Sequence, residues 1–145
     1  MPDQPQTFSN HTRWYPLFHF VVVPLLLVVF IFNVGLLYQE PSWNQAIRVL
    51  FALTLILLAL ASRLTSLKVQ DRVIRLEEKI RYKEILSPEL AKRAEGLTVS
   101  QIIALRFASD GELGGLVERT LNGEFAKTGD IKKAIQDWRG DYLRA

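Results

Sequence analysis

Residues 17–62 of this 145-residue chain are apolar at 33 of 46 positions and carry only two charges, Glu40 and Arg48. A soluble domain spreads its apolar residues at helix or strand period, so that every element keeps a wet face. Here the two classes are segregated, and the other 99 positions hold 31 of the 33 charges. The average of 49% hydrophobic therefore describes two environments, and a single soluble core is excluded. The absence of cysteine excludes a disulfide scaffold, and the length excludes a large multidomain enzyme.

The block contains two runs. The first, 17–38, has no charge and is interrupted only by His19, Pro24, Asn33 and Gly35. As a helix it spans about 33 Å, matching a hydrocarbon core of about 30 Å. The second, 46–62, lies at the short limit for a span, but its helix is expected to continue past the bilayer surface. Backbone groups find no water in lipid, so both runs are expected to be transmembrane helices. A cleaved signal peptide fits the first run poorly. No Lys or Arg precedes Arg13, the run is too long, and no small-residue cleavage site follows.

Lys and Arg near the spans set the orientation. The connecting loop, 39–45, has none, whereas Arg63, Lys68, Arg72, Arg75, Lys79 and Arg81 follow the second run. The loop is expected outside, with the tail 1–16 and everything after the second span in the cytoplasm. Trp14, Tyr15, Tyr38 and Trp43 fall where interfacial aromatics belong. The glycosylation triplet Asn10-His11-Thr12 and the adhesion tripeptide Arg139-Gly140-Asp141 then lie on the cytoplasmic side and read as chance.

Ser42 and Gln45 mark a helix start, and no Gly or Pro follows until Pro88. The pattern predicts one helix over 43–86, whose part 63–86 projects as an amphipathic basic stalk. Val69, Val73, Leu76 and Ile80 make a narrow apolar seam on it. Lys68, Arg72, Arg75, Lys79 and Lys83 make a basic stripe beside the seam, offset in part by Asp71–Arg75 and Glu77–Arg81 pairs. The seam is either covered by the C-terminal helices of the same chain or paired in a coiled-coil homodimer. The stripe is a solvated face that can also meet anionic lipid headgroups or an acidic partner.

Residues 87–145 read as a small helical cytoplasmic domain of four short helices. Ser87-Pro88-Glu89, Thr98-Val99-Ser100-Gln101, Ser109-Asp110 and Gly129-Asp130 open them. Asn122-Gly123 and Gly140 end the last two, with Ile131, Ala134, Ile135 and Trp138 on the final helix. A domain of this size is marginal alone, so it is expected to need the stalk, with Trp138 and Tyr142 packing alongside the seam. The fold class is all-α: a two-helix transmembrane hairpin, a stalk and a bundle of short helices.

The chemical inventory is thin. No catalytic residue and no metal site is expected, since there is no thiol, no phosphate loop and no strand framework for a hydrolytic triad. His11 and His19 are too far apart along a helix to share an ion. His19 bonds a backbone carbonyl or an interfacial water, or else ligates haem or a chlorophyll-type pigment. Asn33 and Arg48 are the intramembrane polar residues. Arg48 is expected level with residues 33–37, pairing with Asn33 or Glu40 or snorkelling outward, with a partner subunit or lipid phosphate as the functional alternative.

The segment His11-Thr12-Arg13-Trp14-Tyr15-Pro16-Leu17-Phe18-His19-Phe20 resembles the start of a family of small uncharacterised two-span bacterial membrane proteins. Further likeness lies in residues 68–78, in Ile103-Ala104-Leu105-Arg106-Phe107-Ala108-Ser109-Asp110, and in 134–142, so it covers nearly the whole chain from Asn10 to Arg144. The resemblance implies the two-span plan and a bacterial inner membrane, and it implies no activity. The expected function is that of a non-enzymatic accessory or scaffold subunit binding a membrane-protein partner or a second copy of itself. The alternatives are a cofactor-binding subunit of a redox or light-harvesting assembly through His19, and a membrane-tethered nucleic-acid binder. The last is disfavoured, because no aromatics interleave with the cations and acidic residues dilute the field.

Overall fold

A computed structural model describes residues 6–10 and 14–141, and they are helical with no named strand. Six α-helices follow in order: α1 (Val23–Gln39), α2 (Trp43–Ile85), α3 (Pro88–Arg93), α4 (Val99–Leu105), α5 (Asp110–Leu121) and α6 (Thr128–Ala134). The chain divides into two compact units, one of residues 13–67 and one of 68–144 together with 1–12. The dividing point, 67/68, lies a turn beyond the expected end of the second apolar run.

In the first unit, α1 is preceded by a π-helical stretch, Leu17–Val22, in which the Val23 amide bonds the Phe18 carbonyl five residues back. Pro24 accounts for it. Its ring lacks an N–H and crowds the carbonyl four residues earlier, and a widened turn relieves that clash. Helix α1 ends where Glu40 leaves helical geometry (φ −132°, ψ 82°), as a residue before proline prefers, and Pro41 follows. Ser42 Oγ then accepts from the Gln45 amide at 3.3 Å and starts α2.

A three-residue connection returns the chain antiparallel, and the Arg63 guanidinium lies 5.9 Å from the Phe18 ring centre. Val22 at the end of the π-helical stretch and Leu26, Phe30, Asn33 and Leu37 along α1 are half-buried. Along α2, Val49, Ile56 and Ala59 are half-buried and Ala52 is buried. These three- and four-residue spacings are the two facing stripes of the hairpin. Much of its remaining apolar surface is exposed, including Phe20, Val28, Ile31, Phe32, Leu50, Phe51, Leu57 and Leu58. Both helices are long and apolar enough to cross a membrane. These are Leu17–Gln39, π-helical stretch included, and the apolar part of Trp43–Ile85. Polar side chains in this unit bond their own helix four residues back. Asn33 donates to the Val29 carbonyl at 2.8 Å, Thr54 to Leu50 at 2.8 Å and Thr65 to Ala61 at 2.9 Å.

The second unit has a core of its own. Leu105, Phe107, Leu113, Val117 and Ile131 are fully buried, and Tyr82 and Leu86 from the end of α2 complete it. The stalk end is therefore part of this core, which answers the marginal size of the C-terminal helices alone. Local signals act as the sequence predicts. Ser87 caps α3, and Thr98 and Gln101 form a reciprocal capping box on α4. Gly123, at φ +77°, takes the left-handed turn after α5 that a side chain would strain. The last helix differs from expectation. It begins at Thr128 and stops at Ala134, so Ile135 and Trp138 lie beyond it in extended chain. Trp138 pairs with Ala108 as an antiparallel bridge, with the Arg139 amide donating to Phe107 O at 2.7 Å and the Ser109 amide to Asp137 O at 3.0 Å. Glu112 holds that turn, its two oxygens accepting from the Gln136 and Asp137 amides.

Candidate functional site

The stalk part of α2 in the second unit presents two different faces. The buried one carries Ile74, Glu78, Arg81, Tyr82 and Leu86. The seam read from the sequence, Val69, Val73, Leu76 and Ile80, is not the face that the C-terminal helices cover. These four residues are 54%, 47%, 62% and 53% exposed. Counting only apolar residues selects the wrong stripe, because the covered face is built partly from charges. Leu76 and Ile80 also border a groove of about 180 Å³ whose far side is Ala91 and Ala94.

Arg81 is the centre of the covered face. Its Nη2 donates to the Ala108 carbonyl at 2.7 Å and to Asp110 Oδ1 at 2.6 Å, Nε donates to the same Oδ1 at 2.9 Å, and Nη1 meets Glu78 at 3.2 Å. The pairing expected between Glu77 and Arg81 is replaced by this network, since Glu77 lies on the exposed side. Burial pushes the Glu78 carboxyl above its ordinary range, against the lowering pull of Arg81 and Arg139. Burial, aided by the Glu78 charge, likewise pushes the Tyr82 phenol up, so it stays neutral. Arg106, also buried, pairs with Asp141 at 3.1 Å and lies 4.4 Å from the Phe107 ring centre, and Phe107 stacks on Trp138 at 5.1 Å. Gln6 closes the unit by bonding both backbone groups of Asp141, at 3.1 Å and 2.9 Å. Arg81, Arg106 and Arg139 line a cleft of about 590 Å³ with Glu77, Glu78 and Asp141. Each of these guanidinium groups has a carboxylate beside it, so the cluster ties segments together.

The remaining expected residues fall as follows. Lys68, Arg72, Arg75, Lys79 and Lys83 are all exposed, which leaves the basic stripe open. Arg48 is exposed, and Asn33 bonds its own helix. His19 lies in the π-helical stretch with Nδ1 3.0 Å from the Tyr15 carbonyl and its ring edge-on to Trp14 at 4.9 Å. A carbonyl only accepts, so Nδ1 donates to it, and in the neutral ring the lone pair then falls on Nε2. Trp138 is half-buried against Phe107 and the core rather than alongside the seam, whereas Tyr142, His11 and Arg13 lie outside the described residues. The Arg81 network was not visible in the sequence. Its one signal is the spacing of Ile74, Glu78, Arg81 and Ile85 at four, three and four, a helix face that mixes charge with apolar residues.

An all-α chain with two helices long enough to cross a membrane and a separately packed helical unit defines the class. The chain belongs to a family of unknown function, DUF6526, which matches residues 1–145. No curated protein and no solved structure matches it in the same comparisons.

Proposed function

We propose that this protein is a non-enzymatic subunit of the bacterial inner membrane, anchored by two spans, that presents a cytoplasmic docking surface to a protein partner. The observation that carries the reading is the pairing of two unlike exposed surfaces. The helices of the first unit leave Phe20, Ile31, Phe32, Leu50 and Leu58 uncovered, each more than half exposed. Water penalises such surface at roughly 25 cal/mol per Å², and a bilayer removes the penalty. The stalk adds a smaller apolar seam flanked by cations, the composition of an interface rather than of a lipid-facing surface. The Gln6–Asp141 bonds support a common side for both termini, and the cation-free loop between the spans supports the outside for the turn.

The exposed cations Lys68, Arg72, Arg75, Lys79 and Lys83 suit anionic headgroups or an acidic partner, at about 1 kcal/mol per well-placed charge. The test is extraction followed by photo-crosslinking. The protein should resist alkaline carbonate, and a photoreactive residue at Leu76 should capture one discrete protein species. Release by carbonate, or no capture from native membranes, overturns the reading.

A second reading rests on His19. With Nδ1 held by a backbone carbonyl, Nε2 is oriented as histidine ligands of metals are. Haem or a chlorophyll-type pigment would give protein purified from native membranes an absorption band that His19→Ala abolishes. A colourless protein removes this reading.

A further inference from the structure

We infer that the seam is the core of a parallel two-stranded coiled coil between two copies of this chain. The inference deepens the docking reading by naming the partner, and it rests on that reading for the shared bilayer. Val73 and Ile80 fall at a, and Val69 and Leu76 at d, of a heptad register. β-Branched residues at a with leucine at d favour two parallel strands, and the Val73–Leu76–Ile80 stretch has that pattern, whereas Val69 at the first d position does not.

The same register sorts the rest of the helix. Ile74 and Arg81 fall at b, Tyr82 at c, and Glu78 at f, the outward positions of a coiled coil. Ile74, Glu78, Arg81 and Tyr82 are among the residues this chain buries against its own helices. The four a and d side chains are left about half exposed. The chain thus covers the back of the helix itself and leaves the pairing edge open.

Charge selects the occupant. Arg72 and Lys79 fall at g, and Glu77 and Glu84 at the following e. In a parallel pair each g residue meets the e residue of the next heptad on the other strand, so Arg72 faces the second copy's Glu77 and Lys79 its Glu84. Two copies give four opposite-charge contacts. An antiparallel pair sets g against g and e against e, so arginine and lysine would meet their like and glutamate would meet glutamate. All four residues are exposed and form no ion pair within the chain among the described residues.

Lys83 occupies the next d position and ends the seam after about two heptads, a short coil by the standard of free peptides. Anchoring both copies in one bilayer with one orientation enforces parallel approach and raises their effective concentration.

The chain has no cysteine, so single-cysteine variants report without background. Leu76→Cys and Val73→Cys in the full chain, oxidised in native membranes, should give a disulfide-linked species of twice the mass. Arg75→Cys, exposed at a c position, should give several-fold less. Glu77→Lys with Glu84→Lys should depress cross-linking at Leu76→Cys, and adding Arg72→Glu with Lys79→Glu should restore it. Equal cross-linking at 75 and 76 indicates collision and overturns the coiled coil. So does an absence of dimer, or charge swaps without effect. Capture at Leu76 of a protein of different mass overturns the self-pairing while sustaining the docking reading. Release of the wild-type chain by carbonate fails the docking reading itself.

Discussion

Replacing Arg81 by methionine should destabilise the C-terminal unit far more at neutral than at acid pH. The side chain is 8% exposed and reaches Asp110, Glu78 and the Ala108 carbonyl. Asp110 is 67% exposed, so water screens its share and that pair contributes little. The larger effect runs through Glu78, whose side chain is 6% exposed and would keep the weaker pull of Arg139, at 3.7 Å, and of Arg106. A buried carboxylate that loses its partner takes up a proton rather than stay charged. Holding a carboxyl with an unfolded pKa of about 4.3 neutral at pH 7 costs about 1.4 kcal/mol per pH unit, or about 4 kcal/mol. At pH 5 the same cost falls to about 1 kcal/mol. Loss of the backbone and Asp110 bonds adds an amount common to both pH values. Pulse proteolysis of the detergent-solubilised full chain across a urea series measures the difference. Because the wild-type carboxyl is itself raised, Arg81→Met should lose up to about 3 kcal/mol more at pH 7 than at pH 5, and Glu78→Gln added to it should remove that pH dependence. A penalty equal at both pH values, or a double variant as pH-sensitive as the single one, refutes the reasoning.

Other perturbations give distinct outcomes in the same assay. Glu78→Gln alone should lie within about 1 kcal/mol of wild type at pH 7, because a neutral amide avoids the cost of burying charge. Since the folded carboxyl titrates above the unfolded one, its contribution to stability is complete below the unfolded pKa and declines as pH rises through the folded pKa. Glu78→Gln should flatten that decline, and a steeper one contradicts the assignment. The Tyr82 hydroxyl is buried with no hydrogen-bond partner among the described residues, so Tyr82→Phe should leave stability unchanged or raise it by about 1 kcal/mol. Phe107→Ala empties the centre of the core and should cost about 3–5 kcal/mol, read as protease sensitivity of the C-terminal unit. Thr98→Ala removes the side-chain acceptor of the Gln101 amide, leaves the Thr98 amide on the Gln101 side chain, and should cost about 1 kcal/mol.

The sequence made the helical elements legible where one local signal decides them. Segregated hydropathy marked the two apolar helices, Ser87 and Thr98 marked helix starts, and Gly123 marked a stop. Each acts within a few residues, so a single chain suffices. The face of the stalk that packs inward was not legible, since a seam of four apolar residues outweighs a face whose buried members include Glu78 and Arg81. Those charges are buried only because Asp110, Ala108 and Arg139 meet them from 27 to 61 residues further along. The end of α6 was misplaced for a related reason. Ile135 and Trp138 continue a helical period, yet the Glu112 carboxylate captures the Gln136 and Asp137 amides and extends the chain. His19 was legible as a residue of interest, and its carbonyl partner four residues back was among the expected arrangements.

The proposed topology is an anchor of two spans with the C-terminal unit inside the cell. Single cysteines at Asn44, in the first turn of α2, and at Gln136, in the exposed turn after α6, test it with a membrane-impermeant maleimide on intact cells. Asn44→Cys should be labelled in intact cells and Gln136→Cys only after permeabilisation. Labelling of Gln136→Cys in intact cells, or protection of Asn44→Cys until lysis, would contradict it.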